Sequence, residues 1–194
     1  MKKESILKKE IKTCITCKQY LPNKPNPIFY FSAKSKIIII GQAPGRIVDE
    51  TGIPWNDKSG DTLRKWLGVD KDIFYDEQIF ATIPMGFCYP GTGKNGDLAP
   101  RPECAALWHE RILNCIDSPK LILLIGKYAQ DYYLGPHAKE NLTQTVLNFE
   151  EYFPKFLPLP HPSPRNNIWI KKNPWFESQL LPILKEKISK TLNK

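Results

Sequence analysis

Four consecutive isoleucines, Ile37–Ile40, end at Gly41 and restrict the possible folds more than any other segment. A strand that is apolar on both faces must be covered from both sides, which is typical of parallel sheets flanked by helices. Similar apolar stretches follow at residues 79–83, 121–125 and 156–159. Segments with helical periodicity alternate with them at residues 59–67, 104–115, 128–134 and 174–189. This order predicts a three-layer α/β/α sandwich with a short, mostly parallel central sheet.

The length of 194 residues suits one domain with a substantial core, and we expect a single domain over residues 1–194. Its first 27 residues combine a predicted basic helix at residues 1–13, a Cys-x-x-Cys pair and a proline-rich connector. Apolar stretches fall short of the ~20 residues that a membrane-spanning helix needs, and the amino terminus lacks the hydrophobic region of a signal peptide. We therefore expect a cytoplasmic protein.

The formal net charge is +8 and 11% of the residues are aromatic, a balance compatible with a polyanionic partner such as nucleic acid. Much of the excess charge lies in lysines near the two ends of the chain, where solvated tails are the simpler explanation. Charge alone leaves both interpretations open.

Two short loops follow the first and the last predicted strands. Residues 41–45 are Gly-Gln-Ala-Pro-Gly, and residues 161–166 are His-Pro-Ser-Pro-Arg-Asn. In open α/β sheets, ligands bind beyond the carboxyl ends of the strands. The two loops are therefore predicted to face each other across one cleft.

These loops resemble the two signature motifs of the uracil-DNA glycosylase superfamily, and the resemblance runs through most of the chain. The first loop is similar to the iron-sulfur (thermophile-type) branch, and the Pro-Arg-Asn extension of the second to the single-strand-selective branch. Between them, Gly-Ile-Pro-Trp at residues 52–55 resembles a segment whose aromatic ring stacks on the extruded base. The resemblance implies a uracil-DNA glycosylase-like fold and a DNA repair enzyme that flips uracil, or a related deaminated base, and hydrolyses its N-glycosidic bond.

The resemblance also implies roles for individual residues. The departing base becomes an anion, so donors must face it, and the base must first leave the stack. His161 would donate to the uracil carbonyl, with backbone N–H groups of Gln42 and Ala43 beside it. Gly41, Trp55 and Pro84 would form the base pocket, while Ser163, Arg165 and Asn166 would contact DNA. No motif positions a lysine as a Schiff-base nucleophile, so we expect a monofunctional enzyme.

Residues 89–102 form a glycine-rich, basic segment. We interpret it as a flexible loop facing DNA, in which Lys94 and Arg101 contact phosphates. The alternative is a solvated connector.

Two positions depart from the patterns of the superfamily. Ala43 occupies the place where the best-known branch has a water-orienting acid. Asp57 is a candidate replacement, since Asn-Asp-Lys-Ser-Gly at residues 56–60 is similar to a segment of another alanine-containing branch. The alternative is that Asp57 caps a helix. The stretch 81–88 lacks the asparagine that pairs with uracil, and Pro84 has no side-chain hydrogen bond to offer.

In a cytosolic protein, we do not expect the five cysteines to form a disulfide framework. Cys14, Cys17, Cys88 and Cys104 match the ligand spacing of the iron-sulfur branch, so the resemblance implies a [4Fe-4S] cluster. Zinc, or no metal, is the alternative. Cys115 falls outside the pattern and is predicted to be core.

The predicted partner is DNA that contains a damaged base, bound by a monomer that does not associate with a membrane. Two other functions stay open. A catalytically silent nucleic-acid-binding module would explain the missing acid and the missing asparagine. A hydrolase of small nucleotides would need no basic surface and no Arg165.

Overall fold

The computed structural model describes residues 2–94 and 96–193. Its strands are β1 (Ile37–Ile40), β2 (Phe80–Thr82), β3 (Thr92–Gly93), β4 (Gly96–Asp97), β5 (Leu121–Ile125) and β6 (Phe156–Leu159). Its α-helices are α1 (Lys2–Lys12), α2 (Arg46–Thr51), α3 (Lys58–Leu67), α4 (Lys71–Phe74), α5 (Pro102–Leu113), α6 (Lys127–Leu134), α7 (Leu142–Leu147), α8 (Asn167–Lys172) and α9 (Leu181–Leu192). A π-helical segment, Phe176–Leu180, precedes α9.

The central sheet has the strand order β2-β1-β5-β6, and all three of its pairings are parallel. The isoleucines of β1 alternate between two apolar clusters, because successive side chains of a strand point to opposite faces. Ile37 and Ile39 pack with α3 and α9, whereas Ile38 and Ile40 pack with α1 and α5. The predicted three-layer α/β/α architecture is therefore confirmed.

The four predicted strands are all present, and the predicted helices are found with shifted ends. The last predicted helix, residues 174–189, contains the π-helical segment and continues to Leu192. The segment 89–102, predicted to be a flexible loop, instead carries the antiparallel hairpin β3-β4. Asn95 of this segment lies outside the described residues. Among the described helices, none is long and apolar enough to cross a membrane.

The carboxyl ends of the four parallel strands meet at one edge of the sheet. Gly41 follows β1, Pro84 lies just beyond β2, Gly126 follows β5 and His161 lies just beyond β6. A methyl group placed on Gly126 would lie 3.8 Å from Cβ of His161, so the last two connections touch. The buried Gln130 of α6 joins β5 to β6, because its Nε2 donates to the carbonyl oxygens of Leu124 (3.2 Å) and Leu159 (2.9 Å).

His109 of α5 forms a hydrogen bond with the backbone at this edge of the sheet. Its Nε2 lies 3.0 Å from the carbonyl oxygen of Pro84, and its Nδ1 lies 2.7 Å from the hydroxyl of Tyr133. Because a carbonyl only accepts, Nε2 carries the hydrogen and Nδ1 accepts from the tyrosine. Burial lowers the pKa of His109 from 6.5 to about 4. The sequence assigned no role to this residue, which holds the backbone of Pro84 in place.

We expect His109 to make folding stability depend on pH. Below about pH 6.5 the unfolded imidazole takes up a proton that the buried one binds only near pH 4. The free energy of unfolding should therefore fall between these values as the pH falls, by at most about 1.4 kcal/mol per pH unit from this residue. The free energy of unfolding, measured by urea denaturation at several pH values in this range, should change less with pH in His109→Gln than in the wild type. The exposed His137→Gln is the control, and equal pH dependence in wild type and His109→Gln would contradict the assignment.

Candidate active site

A cavity of about 470 Å³ opens at the carboxyl edge of the sheet. Ten residues predicted for the site line it: Gly41, Gln42, Ala43, Trp55, Asp57, Pro84, His161, Ser163, Arg165 and Asn166. The two motif loops thus face one cavity, with the segment before α3 between them. A volume of this size is typical of sites for small ligands.

Trp55 forms an aromatic wall of the cavity and has an unusual backbone. Its φ is +57°, in the left-handed region that bulky residues rarely adopt. Its ring lies so close to Gly41 that a methyl group there would approach Cζ2 to 2.8 Å. Its carbonyl lies so close to Gly60 that a methyl group there would approach the oxygen to 1.7 Å. Both glycines are therefore required by close approach.

Arg64 of α3 holds this strained segment. Its guanidinium is buried, donates to the carbonyl oxygen of Trp55 at 3.2 Å and pairs with Asp61 at 2.7 Å. Tyr75 contributes next to it, since its hydroxyl donates to the carbonyl oxygen of Pro54 at 2.9 Å. Consecutive carbonyl groups at residues 54 and 55 are thus anchored by two side chains from outside the cavity.

His161 faces the cavity beside Trp55, with the ring centroids 5.8 Å apart and the planes inclined by 35°. Burial lowers the pKa of His161, and the charges of Asp57 and Asp97 only partly oppose that effect. The imidazole is therefore neutral at neutral pH. A neutral imidazole donates one hydrogen bond without adding a full positive charge to the site.

The rest of the second loop is shaped by its own hydrogen bonds. The hydroxyl of Ser163 accepts from the backbone N–H of Arg165 at 3.3 Å, and the amide of Asn166 donates to the carbonyl oxygen of His161 at 2.7 Å. The guanidinium of Arg165 lies against Gly96 of the hairpin, where a methyl group would approach Nη1 to 2.0 Å. The second loop and the hairpin are therefore in contact at the rim of the cavity.

Asp57 lies at the N-cap of α3, where its Oδ1 accepts from the N–H of Gly60 at 2.8 Å. The helix-cap interpretation is confirmed. Asp57 also lines the cavity, and its charge partly opposes the burial that lowers the pKa of His161. Its predicted role toward water therefore stays a prediction beside the cap.

Two polar residues that the sequence did not single out, Asp97 and Thr82, also line the cavity. Asp97 of β4 faces it from the hairpin, and Thr82 of β2 lies deeper. Among the described residues, the buried Thr82 hydroxyl has no hydrogen-bond partner. The hydroxyl of Tyr30, a neighbouring residue, donates instead to the carbonyl oxygen of Phe74. Short motifs offer no signal for either residue, since their place in the cavity depends on tertiary contacts.

Lys94 and Arg101, the two predicted phosphate contacts of the hairpin segment, do not line the cavity. Lys94 is exposed at the hairpin turn. Arg101 pairs with Glu103 at 2.5 Å and stacks over the ring of Tyr20 at 4.1 Å. Their contact with DNA stays a prediction.

The four predicted ligand cysteines, Cys14, Cys17, Cys88 and Cys104, line a second cavity of about 10 Å³. Burial is the main reason that the pKa of Cys88 rises to about 11 and that of Cys104 to about 12, and the neighbouring thiols add to it. Within residues 2–94 and 96–193, no three or more His, Cys, Asp or Glu side chains are arranged to hold a metal ion. The four thiols nevertheless line one cavity, and the predicted cluster stays a prediction. Cys115 is half-buried and packs against the core, as predicted.

A family model described as the uracil DNA glycosylase superfamily matches residues 28–185 of the chain, well over half of its length. The matched range contains both motif loops, Trp55 and Asp57. Cys14 and Cys17 lie before it.

We predict that Arg64 keeps Trp55 in its strained conformation. Arg64→Met keeps much of the buried side-chain volume but leaves the Trp55 carbonyl without its donor, so we expect a loss of about 1–3 kcal/mol in the free energy of unfolding. Hydrogen exchange of residues 53–58, measured by mass spectrometry, should become faster. The matched control is Arg111→Met, which removes an arginine that pairs with Glu10 outside the cavity. Unchanged exchange in Arg64→Met would contradict the prediction.

Proposed function

The chain belongs to the uracil DNA glycosylase superfamily, and on that premise we propose that it extrudes uracil, or a related deaminated base, from DNA and hydrolyses the N-glycosidic bond. The superfamily consists of glycosylases that act on DNA. The choice of base, the absence of a lyase step and the action as a cytoplasmic monomer belong to the proposal.

The observation that carries this proposal is the pairing of an aromatic wall with a neutral hydrogen-bond donor in one cavity. Any aromatic face can stack on an extruded base. Arg64 anchors the carbonyl of Trp55, and Gly60 leaves room for that carbonyl. His161 lies beside it with its ring 5.8 Å away. The cavity thus offers the two contacts that a flipped base needs, a stacking surface and an edge-on donor.

The chemistry follows from the charges that develop during cleavage. When the bond between C1′ and the base breaks, the base gains negative charge and the sugar gains positive charge. His161 donates to the carbonyl of the departing base and stabilises that anion. The carboxylate of Asp57 offsets the positive charge on the sugar. Gln42 and Ala43 line the same cavity, and their backbone N–H groups supplement His161.

Base recognition differs from the pattern of the branch that uses asparagine. Pro84 occupies that part of the cavity and provides no side-chain donor or acceptor. Polar contacts must come from other lining residues, of which Gln42 and the buried Thr82 hydroxyl are the candidates. A hydroxyl both donates and accepts, which is consistent with a choice among deaminated bases that is wider than uracil.

DNA contacts are proposed at the rim of the cavity. Ser163, Arg165 and Asn166 belong to one loop beside His161, with the N–H and hydroxyl groups that phosphates accept from. Lys94 at the hairpin turn extends this rim, and Arg101 lies further away. The net charge of +8 favours approach to a polyanion.

We also propose that the chain belongs to the iron-sulfur branch. Cys14, Cys17, Cys88 and Cys104 would hold a [4Fe-4S] cluster, with zinc as the alternative. The number and chemistry of the donors favour this proposal, because the four thiols line one small cavity and a bound cation would compensate the thiolates that burial disfavours at Cys88 and Cys104. A bound cluster would tie the amino-terminal segment to α5.

The proposed activity is tested with labelled oligonucleotides that carry uracil, hypoxanthine or xanthine, followed by alkali to break the chain at abasic sites. Base release by the wild type, and its loss in His161→Leu, is the expected result. Tight binding without release would favour the catalytically silent module, which Ala43 and Pro84 keep as the second candidate.

We predict that Asp57 contributes to the rate through its charge. Asparagine caps helices about as well as aspartate, so Asp57→Asn should keep α3 stable while it slows single-turnover base release by about 100-fold or more. Asp70→Asn is a matched control, because Asp70 also caps a helix through the N–H of Ile73 but does not line the cavity. Normal release by folded Asp57→Asn would rule out the role.

The cluster is tested by metal analysis of protein purified without oxygen. We expect about four irons per chain and visible absorbance in the wild type, and loss of both in Cys104→Ser. Cys115→Ser, which removes the cysteine outside the set, should keep them. Stoichiometric zinc without iron would replace the cluster by a zinc site, and neither metal would end the proposal.

A further inference from the structure

Asp97 provides a second carboxylate in the cavity, and it lies outside the sequence motifs described above. It belongs to β4 of the hairpin, whereas the motif residues follow β1 and β6 or precede α3. A methyl group placed on Gly45 would lie 3.3 Å from Oδ2 of Asp97, so this carboxylate reaches the end of the first loop. Ala43, where the loop lacks an acid, lies two residues earlier.

Two connected hydroxyl groups orient this carboxylate. Tyr89, which is buried, shares a short hydrogen bond of 2.5 Å with the Thr92 hydroxyl, and that hydroxyl lies 3.3 Å from Oδ1 of Asp97. Oδ1 is thereby directed toward the hairpin, and Oδ2 lies toward Gly45. Burial lowers the pKa of His161 and the charge of Asp97 partly opposes that effect, so the carboxylate lies within electrostatic reach of the imidazole.

A carboxylate at this place is unfavourable for simple DNA binding. The rim must accept phosphates, and a negative charge beside them weakens the complex. The charge becomes favourable only when the sugar turns positive during cleavage. Asp57, the other carboxylate of the cavity, has one oxygen committed to the N-cap of α3. The two acids are thus suited to different tasks.

We infer that Asp97 is a catalytic residue that binds and deprotonates the attacking water, and this inference rests on the proposed glycosylase function. The water oxygen forms a bond to C1′ while the bond from C1′ to the base breaks, and the electron pair of that bond leaves with the base. The proton of the water passes to the Asp97 carboxylate and then to solvent, from which the base anion takes up a proton. The inference thus reassigns to Asp97 the role toward water that the sequence predicted for Asp57, and Asp57 acts on the sugar cation through its charge.

The test compares single-turnover base release by wild type, Asp97→Asn, Asp97→Ala and Thr92→Val. Asp97→Asn should slow release by about 100-fold or more while its affinity for DNA stays equal or increases. Thr92→Val removes the hydrogen bond to the carboxylate but keeps the charge, so it should slow release by less than about 10-fold. Added formate should restore part of the rate of Asp97→Ala, because a small carboxylate can occupy the vacated place. Asp131→Asn, on α6 outside the cavity, is the control.

The outcomes distinguish failure of the proposed glycosylase function from failure of the role inferred for Asp97. Wild-type protein that releases no base overturns both the function and this inference. Wild-type release together with unimpaired Asp97→Asn overturns the inference alone. Equal losses in Thr92→Val and Asp97→Asn, with no rescue by formate, would show that Asp97 only supports the hairpin. Unchanged melting temperatures exclude unfolding as the cause of any loss.

Discussion

The central position of β1 is the constraint on which the rest of the molecule depends. This strand pairs with β2 on one side and β5 on the other, and both of its faces are buried. Burial of each of its four isoleucine side chains contributes about 1.5–3 kcal/mol to the stability of the fold. Since all neighbours run parallel to β1, their carboxyl ends reach the same edge. The cavity exists because this pairing brings four connections to one place.

Around this edge, the site combines rigid and strained parts. The backbone of Trp55 adopts a conformation that costs of order 1–3 kcal/mol, and it persists because the buried Arg64 and Tyr75 bind adjacent carbonyl groups. His109 fixes the carbonyl of Pro84 from the opposite layer. The cavity walls are therefore set before any ligand arrives, which reduces the ordering cost of binding.

The sequence predicted the sheet well, because strands that are buried on both faces appear as continuous apolar runs. It also predicted that the loops at Gly41 and His161 share a cavity, since the carboxyl ends of parallel strands meet at one edge of the sheet. It did not predict the buried Arg64, because a basic residue in a helix usually faces water and only the tertiary structure supplies its partners. Asp97 was missed for a similar reason. The hairpin that carries it looked like a glycine-rich loop, and strands of two residues leave no pattern.

The outer edge of β6 has a consequence for contacts with other chains. The carbonyls of Lys155 and Leu159 face β5, so the backbone groups of Phe156 and Pro158 point away from the sheet. The N–H of Phe156 already donates to the carbonyl oxygen of Tyr152 at 2.9 Å, and Pro158 has no N–H. An incoming strand would find no donor at either position. This border of the sheet is therefore a poor template for strand addition, a common route by which exposed sheets aggregate.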